Sequence, residues 1–399
     1  MPRTNESAHW VRPSVVVEVR FNEWTANGRL RQPIFLGVRD DKPAGQIRRE
    51  RESLQEDAMK HRRAASKKDK SGKRATERRK SASGNADVIR HLDRIERMGG
   101  NGSLEFHDGR SLDVTSLDKV FFPNDGCTKG DLMRYYAAVS TAILPEIDGR
   151  PLVLRRFPDG IAGVSFFQHS AGDSTPPGVR TALVSVEKAG RQPRFVGGDL
   201  PTLLHTVQLG VISVDPWHSR VDSLDEADYS ILDLDPVDGA EFADVVHVAR
   251  MVKRELDEAG LHGALKTSGS RGLHVYLPLP PGTGYDAAIA VAELIARRVV
   301  AKDANRTTVT RKVSARPRGS VYVDYQQNVR GKSVAAVFAI RARDGATVSM
   351  PISWSSLRRT ADPARYTIRS VPSLAPAAAR AWTAIMHRPN RLKRLLSKP

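Results

Sequence analysis

Residues 60 to 80 read "KHRRAASKKDKSGKRATERRK", eleven Lys or Arg against two acidic residues with almost no large apolar side chain. Such a segment cannot offset its ordering entropy by burying surface, so it is expected to be a disordered linker or arm. No core can run through it. It therefore splits the 399-residue chain into unlike parts: a small unit at residues 1–43, a basic linker at 44–103 and a large domain at 104–399. The segment carries nine of the eighteen net positive charges, so the folded parts are basic as well. A chain with that balance finds its partners among polyanions, nucleic acid being the commonest, although a basic linker can also be a solvated tether with no partner of its own.

No run reaches the roughly 18 to 20 apolar residues of a membrane span, and the N-terminus lacks the regions of a signal peptide. The expectation is a soluble, cytoplasmic protein with no membrane partner. The single cysteine, Cys127, can neither staple the chain to itself nor supply a thiolate cluster, which fits a reducing compartment. Any metal must sit on oxygen or imidazole ligands.

Ahead of the linker, "RPSVVVEVRFNEWTANGRLRQPIFLGVRDDKP" places Val15, Val17, Val19 and Phe21 on one face of a strand, turns at Asn27-Gly28 and resumes with Ile34 and Leu36. A β unit of about forty residues is too small to hold a core unaided. Beyond the linker, strand-like runs such as "PLVLRRF" and "VYVDYQQ" alternate with "FADVVHVARMVKRELDEAG" and "YDAAIAVAELIARRVVAK", whose apolar residues recur at spacings of three and four. This pattern predicts an α+β or α/β domain.

Three stretches of that domain carry chemistry. In "YSILDLDPVDG", residues 229 to 239, Asp233 and Asp235 stand two apart in a strand and so share a face, with Ile231, Leu232 and Leu234 as apolar company. Carboxylates that close repel unless a positive charge lies between them, and a hard divalent cation is the simplest candidate. An Asp-x-Asp pair alone also occurs in solvated turns. In "LKTSGSRGLHVYLPL", residues 265 to 279, a turn rich in glycine and hydroxyls runs into a strand, and Ser268, Ser270 and Arg271 offer donors suited to a triphosphate. No Gly-Lys-Ser/Thr occurs there and a strand follows, so this is not a P-loop; His274 can equally be a satisfied core imidazole. In "SVYVDYQQNVRGKSVAAVFAIRAR", Asp324 again sits in an apolar strand, followed by Arg330, Lys332, Arg341 and Arg343. A third strand-borne carboxylate would complete a two-metal site for nucleotidyl transfer.

These stretches, in this order and followed by "VSMPISWSSL", resemble the polymerase domain of bacterial DNA ligase D, a branch of the archaeo-eukaryotic primase superfamily. The likeness runs from about Val114 to the C-terminus and includes "LDKVFFPNDGCTKGDLMRYY" and "LVLRRFPDGIAGVSFFQHSAG". It implies a primase-like α+β fold with mixed or antiparallel sheets, and template-directed addition of ribo- or deoxyribonucleotides with Mn²⁺ or Mg²⁺. The setting it implies is Ku-dependent non-homologous end joining, at DNA ends, gaps and breaks in the nucleoid. Carried over, Asp233, Asp235 and Asp324 are the metal-binding catalytic residues, and Ser268, Ser270, Arg271, His274, Lys332 and Arg341 bind the nucleotide. Lys119 and Lys129 fall where the family grips a 5′-phosphate, and Phe166 and Phe167 where it stacks on the template; the alternative for the two rings is ordinary core. Two positions depart. Asp215 stands where a histidine is common, and His169 where a lysine is common, which implies lowered or altered activity.

The first unit, through "LRQPIFLGVRDDK", resembles the end of the oligonucleotide-binding domain of an ATP-dependent DNA ligase. No Lys-x-Asp-Gly motif occurs in the chain, and "EIDGRP" at 146 to 151 lacks the nucleophilic lysine. The expectation is a split or truncated ligase D, possessing no ligase activity of its own, with a separate ligase chain as a conceivable partner. The competing readings are a DNA-end-binding scaffold and a primer-independent primase. Incubated with radiolabelled ATP, the purified chain is expected to take up no covalent adenylate; a labelled band would overturn the expectation.

Overall fold

The computed structural model of the protein describes residues 16–20, 34–39 and 71–392 apart from 173, 187–189 and 358–361, with side chains from residue 84 onward. Two compact units emerge. The first contains an antiparallel hairpin of β1 (Val16–Arg20) and β2 (Ile34–Arg39), with Val17 opposite Val38. A register shift falls between Glu18 and Val19, so the simple alternation expected of this strand is interrupted there. Val15, Phe21, the Asn27-Gly28 turn and the linker up to residue 70 lie outside the described residues.

The linker expectation is corrected at its C-terminal end. Residues Ser71–Arg97 form a helix, α1, and its Val88, Leu92 and Ile95 are buried in a hydrophobic core. The basic run gives way after Gly84 to "NADVIRHLDRIERM", whose apolar residues fall at spacings of four and three on one helical face. Two hairpins follow, β3 (Gly102–Glu105) with β4 (Ser111–Val114) and β5 (Val120–Phe122) with β6 (Cys127–Thr128). β6 runs straight into α2 (Lys129–Ile147), where Thr128 and Asp131 close a capping box. β7 (Leu152–Arg156) pairs with β8 (Phe166–Gln168), β9 (Thr181–Val186) pairs with β10 (Gly190–Phe195), and α3 (Leu200–Gln208) leads to β11 (Asp215–Pro216) on the other side of β7.

The central sheet is built from the remainder of the chain. Its elements are β12 (Tyr229–Pro236), α4 (Phe242–Glu258), β13 (Ala264–Thr267), β14 (Leu273–Pro278), α5 (Tyr285–Lys302), β15 (Thr307–Thr308), β16 (Val321–Asp324) and β17 (Pro351–Ile352), with α6 (Val371–Met386) closing the domain. The strand order is β15-β16-β12-β14-β13-β17, and only the β15–β16 pair is parallel. The fold is therefore α+β with a mixed, largely antiparallel sheet. Both long helices expected from apolar periodicity, α4 and α5, form where the spacing placed them.

Period-two alternation sorts the sheet into two unlike faces. Leu232, Leu234, Leu265, Leu273, Val275, Leu277, Val321 and Val323 pack with α4 and α5 in one core. The interleaved residues Asp233, Lys266, His274, Tyr276, Tyr322 and Asp324 point the other way, where Tyr276 meets Trp382 of α6 edge to face at 5.1 Å. Among the described residues no helix is long and apolar enough to cross a membrane.

Candidate active site

Strand register does the first work of assembly. Asp324 on β16 lies opposite Asp233 on β12, Asp233 lies opposite His274 on β14, and His274 lies opposite Lys266 on β13. Four ionisable side chains thus form one row across four strands, and Asp235, two residues on from Asp233, extends it toward the surface. Lys266 is fully buried, and its ammonium donates to Ser349 Oγ while lying 5.6 Å from the centre of the Tyr276 ring.

The row is electrostatically unfinished. Burial, reinforced by Asp324, pushes Asp233 up to about 7. Burial and then Asp233 raise Asp235 as well, although Asp235 is open to solvent at the site's mouth, which moderates the first of these causes. Burial, with Lys266 and Arg341 adding to it, holds the His274 ring well below the ordinary imidazole value, so the ring is neutral. His274 Nε2 approaches Asp233 Oδ1 at 3.2 Å without hydrogen-bond alignment, and Asp233 Oδ1 and His274 Nδ1 are both buried without a hydrogen-bond partner. The satisfied-core alternative for His274 therefore fails. Asp324 is occupied instead: Oδ1 accepts from the Gln326 N–H at 2.7 Å and Oδ2 from Gln327 Nε2 at 2.9 Å.

That arrangement bears on a metal. Among the described residues no three acidic, imidazole or thiol side chains already converge closely enough to hold an ion. Asp233 nevertheless presents a buried oxygen with no partner, and Asp324 needs only a side-chain rotation to leave the two glutamines. The donor set, all carboxylate oxygen, suits a hard divalent cation.

The hydroxyl-rich turn abuts the row. Ser268 Oγ accepts from the backbone N–H groups of Ser270 and Gly272, each at 3.1 Å, so the hydroxyl oxygen is held inward and its proton is left to donate outward. Ser270 Oγ accepts from Arg343. Gly269 has φ +69°, and a Cβ there would lie 2.5 Å from Arg341 Cγ. At Gly272 a Cβ would fall 2.4 Å from the Leu234 carbonyl oxygen, so only glycine lets the turn lie against β12 between the two aspartates. A cleft of about 770 Å³ opens here, lined by Asp235, Asp238, Ser270, Arg271, Arg316 and Arg318 among others. Arg316 lies 3.5 Å over the Tyr322 ring, anchored to the Thr310 carbonyl at 3.0 Å.

Asp233, Asp235, Asp324, Ser268, Ser270, Arg271, His274 and Arg341 are thus brought together. Lys332 is exposed in the turn after Val329 and makes no side-chain hydrogen bond or ion pair among the described residues, which leaves its ammonium unengaged by protein groups there. Lys119 and Lys129 flank the β5–β6 hairpin, where the Lys129 N–H donates to the Lys119 carbonyl at 2.8 Å. Lys119 pairs with Asp159 at 2.7 Å, whereas Lys129 makes no ion pair among the described residues, and burial with Lys119 lowers it to about 8. The first amides of α2 are spent on Leu117, Lys119 and the capping box, so any anion here is held by side chains rather than by the helix N-terminus. Phe166 and Phe167 are 46% and 58% exposed, which excludes ordinary core. Arg156 and Arg155 sit behind them, 5.3 and 5.8 Å from the respective ring centres.

Comparison with known proteins joins these features. The family model described as "LigD, primase-polymerase domain" matches residues 128–382, well over half of the chain. The chain belongs to the LigD primase-polymerase family. A second model, the ATP dependent DNA ligase C terminal region, matches residues 1–42. The multifunctional non-homologous end joining protein LigD of Pseudomonas aeruginosa is 29% identical over 93% of this chain and 40% of that protein. The bifunctional LigD of Bacillus subtilis is 30% identical over 65% of this chain and 42% of that protein. The chain thus spans about two fifths of the length of these relatives. The polymerase domain of Mycobacterium tuberculosis ligase D, solved in complex with DNA, superposes with a TM-score of 0.64 at 28% identity, covering 70% of this chain and 99% of that one.

Within the LigD polymerase fold the two departures acquire surroundings. Asp215 on β11 lies close enough to the row for its charge to oppose the lowering of Lys266 and His274, and its carboxylate accepts from Ser213 Oγ. His169 stacks on Phe167, with ring centres 6.0 Å apart and planes 6° from parallel, and burial lowers its pKa. Residues the sequence reading missed include Lys266, Arg316 and Asn328. Asn328 is fully buried; its side chain exchanges two 2.7 Å hydrogen bonds with the Ile231 backbone where β16 has ended. Lys266 stands two residues before Ser268 in "LKTS", and Arg316 lies in the basic "RPRG" ahead of β16, signals that only the pairing of the strands makes legible. Gly272→Ala is expected to lower the melting temperature through the clash with Leu234 and to raise the KM for nucleotide at least severalfold; calorimetry and a titration of nucleotide would show it, and an unchanged variant would mean the turn tolerates a side chain.

Proposed function

We propose that the chain is a template-directed nucleotidyltransferase that extends and fills DNA ends and gaps during double-strand break repair. The observation that carries this reading is the register-matched row Asp324–Asp233–His274–Lys266 with the Ser268 turn packed against it. Asp233, Asp235 and Asp324 would hold divalent ions, Mn²⁺ or Mg²⁺, whose chemistry when bound is to acidify a primer 3′-hydroxyl and neutralise the leaving pyrophosphate.

The chain's own side chains supply the rest. Ser268 and Ser270, their oxygens already accepting, turn their protons toward phosphate oxygens. Arg271, Arg316, Arg318 and Arg341 neutralise the triphosphate from around the cleft, and guanidinium suits that task by its forked donors. A neutral His274 can donate one hydrogen bond without adding charge to the carboxylate row. Exposed Phe166 and Phe167 would stack on template bases, with Arg155 and Arg156 stiffening the rings, a sequence-tolerant contact worth about 1–3 kcal/mol per base. Lys119 and Lys129 would receive a terminal 5′-phosphate dianion. In end joining, such an enzyme would work beside a Ku-type end-binding protein, with ligation supplied by a ligase activity outside residues 1–43.

On a gapped duplex with a 5′-phosphate, Asp233→Ala and Asp235→Ala are expected to lose extension by about a thousandfold or more while still binding the gapped duplex, in keeping with loss of metal-ion catalysis. If wild type extends no better than the variants, the scaffold reading replaces the polymerase. A second outcome concerns pH. Lys129 is charged below about 8 and loses its proton above it, so the advantage of a 5′-phosphate over a 5′-hydroxyl in binding should shrink as pH rises through about 8. Anisotropy titrations at pH 7 and pH 9 compare the two; a constant advantage would rule out a role for that ammonium.

A further inference from the structure

We propose that Asp125 couples the hairpin bearing Lys119 and Lys129 to the nucleotide turn, so that a 5′-phosphate bound at one tightens nucleotide binding at the other; this rests on the function proposed above. Asp125 lies in the turn between β5 and β6. Its carboxylate Oδ2 accepts from the backbone N–H of Gly345 at 2.7 Å, and its carbonyl accepts from Arg369 Nη2 at 3.1 Å. Arg343, two residues before Gly345, donates to Ser270 Oγ in the nucleotide turn. The path from lysine hairpin to nucleotide turn is therefore two hydrogen bonds and one short segment of backbone.

That segment can transmit a displacement because it is taut. The Arg343 N–H donates to the Arg341 carbonyl at 2.9 Å and the Ala346 N–H to the Arg343 carbonyl at 3.2 Å. Gly345 and Ala346 hold φ of +85° and +41°, and a left-handed alanine persists only where its surroundings impose it. The base of the segment is fixed separately. Tyr135 of α2 donates to the Phe338 carbonyl at 2.8 Å, and the Ile340 N–H donates to Tyr136 Oη at 3.1 Å. A shift of the hairpin turn against α2 would therefore reach Arg343 through Asp125. A cleft of about 470 Å³ between Pro123, Asn124, Ile161 and Arg343 leaves space for that shift.

The test uses the full chain on a gapped duplex whose downstream strand carries a 5′-phosphate or a 5′-hydroxyl, reading nucleotide KM apart from kcat and DNA affinity by anisotropy. In wild type the phosphate should lower KM. Asp125→Ala should remove about five- to tenfold of that gain, the worth of one hydrogen bond, leaving both kcat on the 5′-hydroxyl strand and the effect of the phosphate on DNA affinity as they were. Asp125→Asn, which keeps an acceptor for the Gly345 N–H but no charge, should keep the gain. If Asp125→Ala retains the gain, or Asp125→Asn loses it equally, the coupling is overturned while the two binding assignments stand. A wild type indifferent to the phosphate in both KM and DNA affinity overturns the assignments and the coupling together.

Discussion

The pairing register of β12 with its two neighbours is the constraint on which the remainder of the site depends. Because side chains alternate across a pleated strand, a slip of one residue would carry Asp233 into the α4–α5 core and Leu232 or Leu234 out of it. The apolar residues on one face thus fix the address of the charged residues on the other. Packing energy, not attraction among the charges, holds the row in line.

The charges themselves oppose the arrangement. For Asp233, a rise from the ordinary 3.8 to about 7 corresponds to about 4 kcal/mol set against its ionised form. Lys266 and Arg341 relieve part of this, and a cation among the carboxylates would relieve more. A site of this kind is tolerable in a domain whose two large cores absorb the cost, and its instability is what makes it receptive to opposite charge. Asp215 and Asp233 both act on the buried Lys266, opposing the lowering that burial and Arg341 impose on it.

Much of this was legible in the chain. The i, i+2 spacing of Asp233 and Asp235, the helical periods of α4 and α5 and the glycine–hydroxyl turn are local signals, and local geometry bore them out. Asp324 could be grouped with Asp233 from its own apolar strand and the family resemblance, but nothing local signalled that Lys266 stands in the same row, because register is settled by partners distant in the chain. Charge density misled in one place: the basic run concealed the apolar face of α1, which begins within a few residues of it.

Asn328 gives the third carboxylate a particular freedom. β16 is four residues long, and beyond Asp324 the sheet is continued by an amide side chain clasping the Ile231 backbone. The strand is consequently pinned on both sides of Asp324, while the carboxyl group is held by Gln326 and Gln327 with the Tyr322 hydroxyl close by. Asp324 can exchange partners by turning about its own side-chain bonds, with no ladder hydrogen bond broken. Readying the site is then a matter of rotamers, on the timescale of side chains rather than of sheets.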